Sequence, residues 1–402
     1  MPTAAAPSSR ATERRKAMVL VAIKMLTGDR GKYLGMVLGL VFTTFIMTQQ
    51  PAMFFGLVKR SYGFVSDAAL ADIWVMDPMV RYIDDIKPLS DTTVARVRGV
   101  EGVGWAVPIY KGTTRVRLAD GNFQNSVLIG LDDTTLIGGP PIILSGKLAD
   151  LRRADGVIVS ADGANNRFAR PSPRSSEPPI PLMIGDVIEM NERRAVVVGI
   201  SEATTTNMGV PTIYTTYSRA KSYVPSERKT LSFVLVKAKA GTEVGLVISN
   251  IRHWTGLAAV TREQFEQMTL WYVIQNTPAF TLFGLSAIIG FGVGGLIAGQ
   301  TFYNFTLENL RYFGVMKAMG ATNRTLLTMI MAQALVAGAI GYGLGVGLIS
   351  LFSLVIGPRF PFELSWSLFL VSACGIVLLC VIASGLSMRK VIRLDPASVF
   401  KT

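Results

Sequence analysis

The stretch that decides the fold is Ala279-Phe-Thr-Leu-Phe-Gly-Leu-Ser-Ala-Ile-Ile-Gly-Phe-Gly-Val-Gly-Gly-Leu-Ile-Ala-Gly-Gln-Thr-Phe302, which lies inside a longer run, Gln267 to Leu307, free of Asp, Glu, Lys, Arg and His. A bilayer core about 30 Å thick needs about 20 helical residues at 1.5 Å each, and a buried helix of a soluble protein rarely runs that far without a charge. Three more stretches meet the same requirement: Tyr33 to Val58, the run starting at Thr325, and Leu364 to Met388. The reading is four transmembrane helices, over residues 33–58, 278–302, 325–357 and 364–388. Composition agrees with it. Charged residues make up 17% of the 402-residue chain and mean hydropathy is +0.41, whereas a soluble domain carries about 25% charged residues.

Charge placement sets the orientation. Residues 59–270 hold 25 Lys+Arg and 22 Asp+Glu, the ordinary composition of a soluble domain. The short segments are different: residues 1–32 carry a net +5, residues 308–324 a net +2, and the tail 389–402 a net +3. Basic short loops stay cytoplasmic. Both termini and the 303–324 loop are therefore expected in the cytoplasm, and residues 59–270 outside it. The same asymmetry accounts for the basic balance without nucleic acid. The N-terminal segment, with Met18, Leu20, Val21, Ile23, Met25 and Leu26 between charges from Arg14 to Lys32, reads as an amphipathic stretch lying on the lipid surface. The apolar run after it is too long for a cleaved signal peptide.

Several chemistries are missing. There is no G-x-x-x-x-G-K-[ST] loop, so the chain does not hydrolyse ATP by a Walker mechanism. Gly290 to Gly295 faintly resembles a dinucleotide loop but sits mid-membrane, where close helix packing is the better reading. His253 is the single histidine, which argues against a zinc-histidine cluster and a Ser-His-Asp triad, and places it on the outer domain's surface beside Trp254. Cys374 and Cys380 both fall in the fourth span and read as packing residues on different helix sides. No catalytic residue, metal site or bound cofactor is expected in this chain.

The spans contain no Asp or Glu, which counts against an ion-coupled transporter. They are rich in glycine instead: Gly290, Gly294, Gly295 and Gly299 in the second, and Gly338, Gly341, Gly343, Gly345 and Gly347 in the third. Small residues four apart let helix backbones approach closely. Tightly packed helices favour transmission of movement over passage of a solute through them.

The outer domain reads as mixed α/β. Strands are expected at 71–76, 104–109, 113–118, 125–130, 186–190, 194–200, 212–214 and 232–237, with a hairpin at Asp120-Gly121. Helices are expected from a Ser90 cap to Gly99, at 243–255 and from Thr261, with a helix-then-strand pattern over 142–160 and a Pro/Ser-rich loop over 169–181. A division near residue 140 into two interleaved subdomains is expected.

After the second span comes Glu308-Asn-Leu-Arg-Tyr-Phe-Gly-Val-Met-Lys-Ala-Met-Gly-Ala-Thr-Asn-Arg324. Leu310, Phe313, Val315, Met316 and Met319 suggest an apolar face on a short helix stopped by Gly320, suited to seat in a groove of a soluble partner. A plain corner between two spans is the alternative. This segment resembles the E-x-x-R-x-x-G-[IV]-x-[RK]-A-[ILM]-G-A motif of the FtsX-like/MacB-like ABC transporter permeases. Asp395, Pro396 and Ala397 resemble that family's DP-A tail, and Ile184 to Ile188 with Val196 to Ile200 resemble the core of its external domain. The layout of one span, a large α/β domain and three spans is similar throughout, with Lys317 to Gly320 nearer to DevC-like members. Asn309-Leu310-Arg311 departs from the family, many of whose members carry more charge there.

The resemblance implies a four-helix membrane protein with an inserted MacB-like periplasmic core domain, working as a homodimer with two separate ATPase subunits that carry the ATP and Mg, and beside a periplasmic adaptor or membrane fusion protein. Glu308, Arg311, Tyr312, Phe313, Gly314, Val315, Lys317, Ala318, Met319 and Gly320 would form the coupling helix seated on the ATPase, with Glu308 and Arg311 anchoring its start. ATP binding inside would then close the external domains, a process termed mechanotransmission. The function implied is export or extraction of a hydrophobic or amphiphilic cargo. Its competitor is a signalling scaffold that activates a cell-wall hydrolase; the size of residues 59–270 favours transport.

Overall fold

The computed structural model describes residue 24 and residues 30–392, apart from residues 69, 173–177, 207–208, 226, 228 and 357–359. Almost all of the N-terminal amphipathic segment and the tail with Asp395, Pro396 and Ala397 lie outside the described residues. The chain forms two compact units, Met1–Gly56 with Ala279–Thr402, and Leu57–Pro278.

Among the described residues, four helices are long and apolar enough to cross a membrane. They are α1 (Arg30–Asp67) and, further along the chain, α6 (Pro278–Glu308), α8 (Asn323–Ile356) and α9 (Trp366–Ile392). A short helix, α7 (Leu310–Ala318), lies between α6 and α8. α1 is longer than its charge-free run implies. It continues past Val58 through Lys59 and Arg60 to Asp67, 38 residues in all, or about 57 Å at 1.5 Å per residue.

The second unit is mixed α/β. Its elements are β1 (Ile73–Met76), α2 (Thr92–Arg98), β2 (Val103–Arg117), β3 (Phe123–Leu131), β4 (Ile142–Ser145), β5 (Gly156–Ser160), β6 (Val187–Met190), β7 (Arg193–Glu202), β8 (Thr212–Thr216), α3 (Tyr217–Ser222), β9 (Phe233–Ala238), α4 (Val244–Thr255), β10 (Ala258–Thr261) and α5 (Arg262–Asn276).

Where the sequence suggests separate strands at 104–109 and 113–118, there is one 15-residue strand, β2. Gly112 is too weak a break in a stretch whose neighbours all find ladder partners. β2 serves two sheets. Its first half pairs with β9, giving the antiparallel order β10-β1-β9-β2. Its second half pairs with both β3 and β6. Because β3 pairs β8, β8 pairs β5, β5 pairs β7 and β7 pairs β6, six strands close into a ring, and β4 joins β7 as an edge. The second unit thus divides into an inserted barrel, from the second half of β2 to α3, and the flanking strands around it. The expected division near residue 140 is corrected accordingly, since β4 and β5 belong to the same ring as β3.

Two local corrections follow from hydrogen bonding. Residues 142–160 run strand, a single 3₁₀ turn at Leu148–Arg152, then strand. The N-cap of α2 is Asp91 rather than Ser90, whose hydroxyl bonds the Thr92 and Thr93 hydroxyls. Other features follow the sequence closely. Gly121 takes φ +85° in the β2–β3 turn, and Thr261 forms a capping box with Gln264 at the start of α5. The β6–β7 turn is carried by Asn191 and Glu192, with φ of 48° and 59°, the left-handed pair that matches hairpin twist. Barrel residues such as Val116, Leu128, Val157, Ile188 and Val197 are buried in one apolar cluster. A second cluster is built on Trp74, packed against Phe64 of α1, Phe233 of β9 and Phe265 of α5 at centroid distances of 5.4–5.9 Å.

Candidate functional site: the α7 corner and the cradle of α1

α6 stops at Glu308 because Asn309 turns the chain. Its amide side chain donates to the Phe305 carbonyl at 2.8 Å, and its own carbonyl accepts from the Tyr312 and Phe313 N–H groups. The break separates α7 from the span by one residue. At the far end, Gly320 takes φ +92°. Its N–H donates to the Lys317 carbonyl and the Ala321 N–H to the Met316 carbonyl, both at 3.0 Å. This 6→1 and 5→2 pairing is a Schellman stop, which needs a residue without a Cβ penalty in the left-handed region. Thr322 then starts α8, accepting from the Thr325 N–H at 3.3 Å.

α7 is therefore a short lever fixed at both ends, and its two sides differ. Phe313 is fully buried against Leu326, Ile330 and Met388, with Leu310, Met316 and Ala321 packed around them, and Gly314 is buried too. Arg311, Tyr312, Val315, Ala318 and Met319 are exposed, Tyr312 at 61% and Met319 at 75%. Positions 311, 312, 315, 318 and 319 fall on one side of a 3.6-residue helix. The single apolar face expected from Leu310, Phe313, Val315, Met316 and Met319 is thus split: the first, second and fourth face the bundle, while Val315 and Met319 face away from it. Glu308 is exposed and Lys317 half-buried.

The glycines of the spans form a cradle, and the helix that lies in it is α1. A Cβ on Gly341 would stand 2.5 Å from Leu40 Cβ, and one on Gly345 2.6 Å from Thr44 Cβ. On α6, a Cβ at Gly294 would lie 3.1 Å from Thr43 and Met47, and one at Gly290 3.0–3.1 Å from Gln50 and Ile46. Thr43 adds a hydrogen bond from its hydroxyl to the Gly294 carbonyl at 3.1 Å. Gly295 faces Leu379 of α9, whereas a Cβ on Gly299 would meet nothing within 4 Å among the described residues of the chain. One contact had no signal in its own residue type: a Cβ on Gly56 would overlap the Pro361 carbonyl, and the Glu363 N–H donates to the Ala52 carbonyl at 3.1 Å. α1 is thus held by α6, α8 and the turn before α9.

The last turn of α1 is tied within the second unit. Ser66 donates to Glu266 of α5 at 2.6 Å, and Thr204, just after β7, donates to Asp67. His253 and Trp254 are exposed on α4 with rings 5.4 Å apart. Cys380 is buried and Cys374 exposed. Among the described residues, no three His, Cys, Asp or Glu side chains lie close enough to hold a metal ion.

Four apolar helices, a large mixed α/β domain inserted after the first of them, and a short capped lever between the second and third define a class: a membrane-spanning permease with an extracytoplasmic domain. Residues 33–253 match the MacB-like periplasmic core domain and residues 257–396 the FtsX-like permease C-terminal domain. The chain belongs to the FtsX-like/MacB-like family of ABC transporter permeases, whose chains work with an ABC ATPase. An uncharacterised ABC transporter permease of Mycobacterium tuberculosis is 22% identical over 320 residues, covering 78% of this chain and 79% of that one. One from Mycobacterium bovis is 31% identical over 116 residues, 28% of this chain and 32% of its own. The solved periplasmic region of MacB from Actinobacillus actinomycetemcomitans shares 13% identity over 53% of this chain and 96% of its own, at a TM-score of 0.35.

Proposed function

We propose that the chain is the non-catalytic, force-transmitting subunit of an ABC exporter in a bacterial inner membrane. Two copies pair, each with a separate ATPase that binds ATP and Mg, and both termini and the α7 corner face the cytoplasm. The reading is carried by one observation: α7 is anchored by Phe313 on one side and by caps at both ends, yet presents Tyr312, Val315 and Met319 to the outside. Apolar side chains on a rigid, basic-flanked corner fit a groove on a soluble partner. Movement received there reaches the outer domain along two covalent routes, α1 and the α5–α6 connection, and the close glycine contacts make the first stiff. Spans without Asp or Glu count against a wide polar conduit, which supports a hydrophobic or amphiphilic cargo handled by the outer domain, with lipids around the helices and an adaptor beside the domain. Departure of Asn309-Leu310-Arg311 from the family bears on which ATPase is bound.

The test is co-purification of the chain with an ABC ATPase encoded beside it, followed by reconstitution in lipid vesicles. ATP-dependent appearance of a hydrophobic dye or lipid on the domain's side, lost when the ATPase is inactivated, is expected. A stable complex that hydrolyses ATP, moves nothing, and retains a cell-wall hydrolase would overturn export.

A further inference from the structure

One end of the six-stranded barrel is not filled. A cavity of about 190 Å³ lies between the end of β2, the start of β6 and the side chains of Phe168, Arg170 and Leu182. Its walls include Leu118, Phe168, Leu182 and Ile188, all nearly inaccessible to solvent. Two polar residues, Arg170 and Asp186, complete the lining.

The size is informative. A cavity of about 150 Å³ lined by Leu, Ile and Phe admits benzene, and drug-sized ligands need about 300 Å³ or more. The barrel end therefore holds one ring or one branched alkyl group. The polar pair is informative too. Arg170 Nη2 donates to both carboxylate oxygens of Asp186 at 3.0 Å, and Asp186 also accepts from the Met183 N–H at 2.8 Å. The pair carries no net charge, so a charged ligand would lose its hydration there without gaining a net counter-charge. Arg170 Nε, however, is buried and has no acceptor among the described residues. A buried donor without a partner is costly, and a ligand oxygen is one way to satisfy it. Around the opening, Ile180, Met183, Ile184 and Val187 are 37–58% exposed, an apolar collar on a domain that stands in water.

We propose that this barrel end is a binding site for a small uncharged amphiphile: a single aryl or branched alkyl group, seated against Phe168 and Leu182, carrying a carbonyl or hydroxyl oxygen that accepts from Arg170 Nε. The site belongs wholly to the outer domain and needs neither ATP nor the ATPase. Its failure would leave the transport reading standing, and failure of transport would leave the site standing.

The experiment uses the full chain in lipid nanodiscs and ligand-observed saturation-transfer NMR, with empty nanodiscs as reference. Benzamide is the probe, and benzoate and benzylamine are analogues of the same ring with a charge. Benzamide is expected to bind at least about tenfold more tightly than either, which corresponds to about 1.4 kcal/mol. Ala119 lines the opening and is exposed, so Ala119→Phe fills it from the rim without loading the core. That variant is expected to abolish benzamide transfer while leaving the unfolding temperature unchanged. Arg170→Lys keeps the charge but removes Nε, and is expected to weaken benzamide about tenfold by the loss of one hydrogen bond to a charged donor. Absence of benzamide transfer in the wild-type chain, equal binding of all three probes, or binding unchanged in Ala119→Phe would each overturn the proposal. The probe comparison on the wild-type chain does not depend on any variant folding.

Discussion

Thr204 holds Asp67 with both of its donors: the backbone N–H reaches one carboxylate oxygen and the hydroxyl the other, each at 2.9 Å. Asp67 is the last residue of α1, and Thr204 follows β7 of the barrel. A Cβ on Gly63, one turn earlier, would overlap the Thr204 methyl group. Thr204 thus ties the end of the first long helix to the barrel side of the outer domain. Asp67→Ala leaves both donors without their acceptor and is expected to lower the stability of the outer domain by about 1–3 kcal/mol. Thr204→Ser keeps both donors and is expected to stay within about 0.5 kcal/mol of wild type, the range of an undisturbed site. Denaturant unfolding of the full chain, followed by the fluorescence of buried Trp74, reads both; equal loss in the two variants would show that the bonds contribute nothing.

The two sides of α7 separate folding from partner binding. Phe313→Ala removes a fully buried ring and is expected to cost about 3–5 kcal/mol of stability. Tyr312→Ala with Met319→Glu changes only exposed positions and is expected to leave the unfolding temperature unchanged while reducing ATPase co-purification at least about tenfold, as truncation of interface anchors does. Gly314 is buried, so a bulky residue there is expected to disturb packing as well as association. Lys317→Glu is expected to weaken association. If ATPase recovery is unchanged in the Tyr312/Met319 variant, α7 is a structural corner.

The glycine cradle makes a position-specific prediction. Gly341→Val and Gly345→Val push a side chain into Leu40 and Thr44 of α1, and each is expected to cost about 1–3 kcal/mol by overpacking. Gly299→Ala, which meets nothing within 4 Å, is expected to be neutral. Thermal unfolding in lipid nanodiscs distinguishes the two groups. A Gly299 variant as damaging as the Gly341 variant would mean that glycine acts through backbone flexibility and not through close approach.

Alkaline stability reports the barrel interior. Burial pushes the Tyr223 phenol up to about 12, and its hydroxyl donates to the Arg194 carbonyl at 3.0 Å. Burial, followed by the hydrogen bond to Asp91 at 2.7 Å, raises Tyr217 still further. A raised phenol pKa means that the folded state favours the neutral form. The stabilisation is complete below about pH 10, the ordinary tyrosine value, and is lost as pH rises toward about 12. Denaturant unfolding between pH 8 and 12 is expected to show a fall that is shallower in Tyr223→Phe. Identical slopes would place the Tyr223 hydroxyl in solvent.

Features that depend on local runs of residues were legible from the amino acids alone. The absence of charge over Tyr33–Val58 and Ala279–Phe302 requires membrane helices wherever the rest of the chain goes, because no neighbour can hydrate or satisfy those backbones in lipid. Gly320 and Thr322 stop and restart the chain through hydrogen bonds within a few residues. Features that depend on long-range partners were not legible in that way. The four-residue strand β6 closes the barrel by pairing with both β2 and β7, a partnership that nothing within β6 encodes, because strand pairing is set by neighbours distant in sequence. Val315 and Phe313 look alike as apolar letters, yet Phe313 is buried against Leu326 and Met388 while Val315 is exposed. The spacing of Gly341 and Gly345 promised a close helix contact without naming the helix; that it is α1 follows from Leu40 and Thr44, which would stand 2.5–2.6 Å from a Cβ at those positions. Local chemistry sets where an element begins and ends, and which of its sides is covered depends on the partner that long-range packing brings to it.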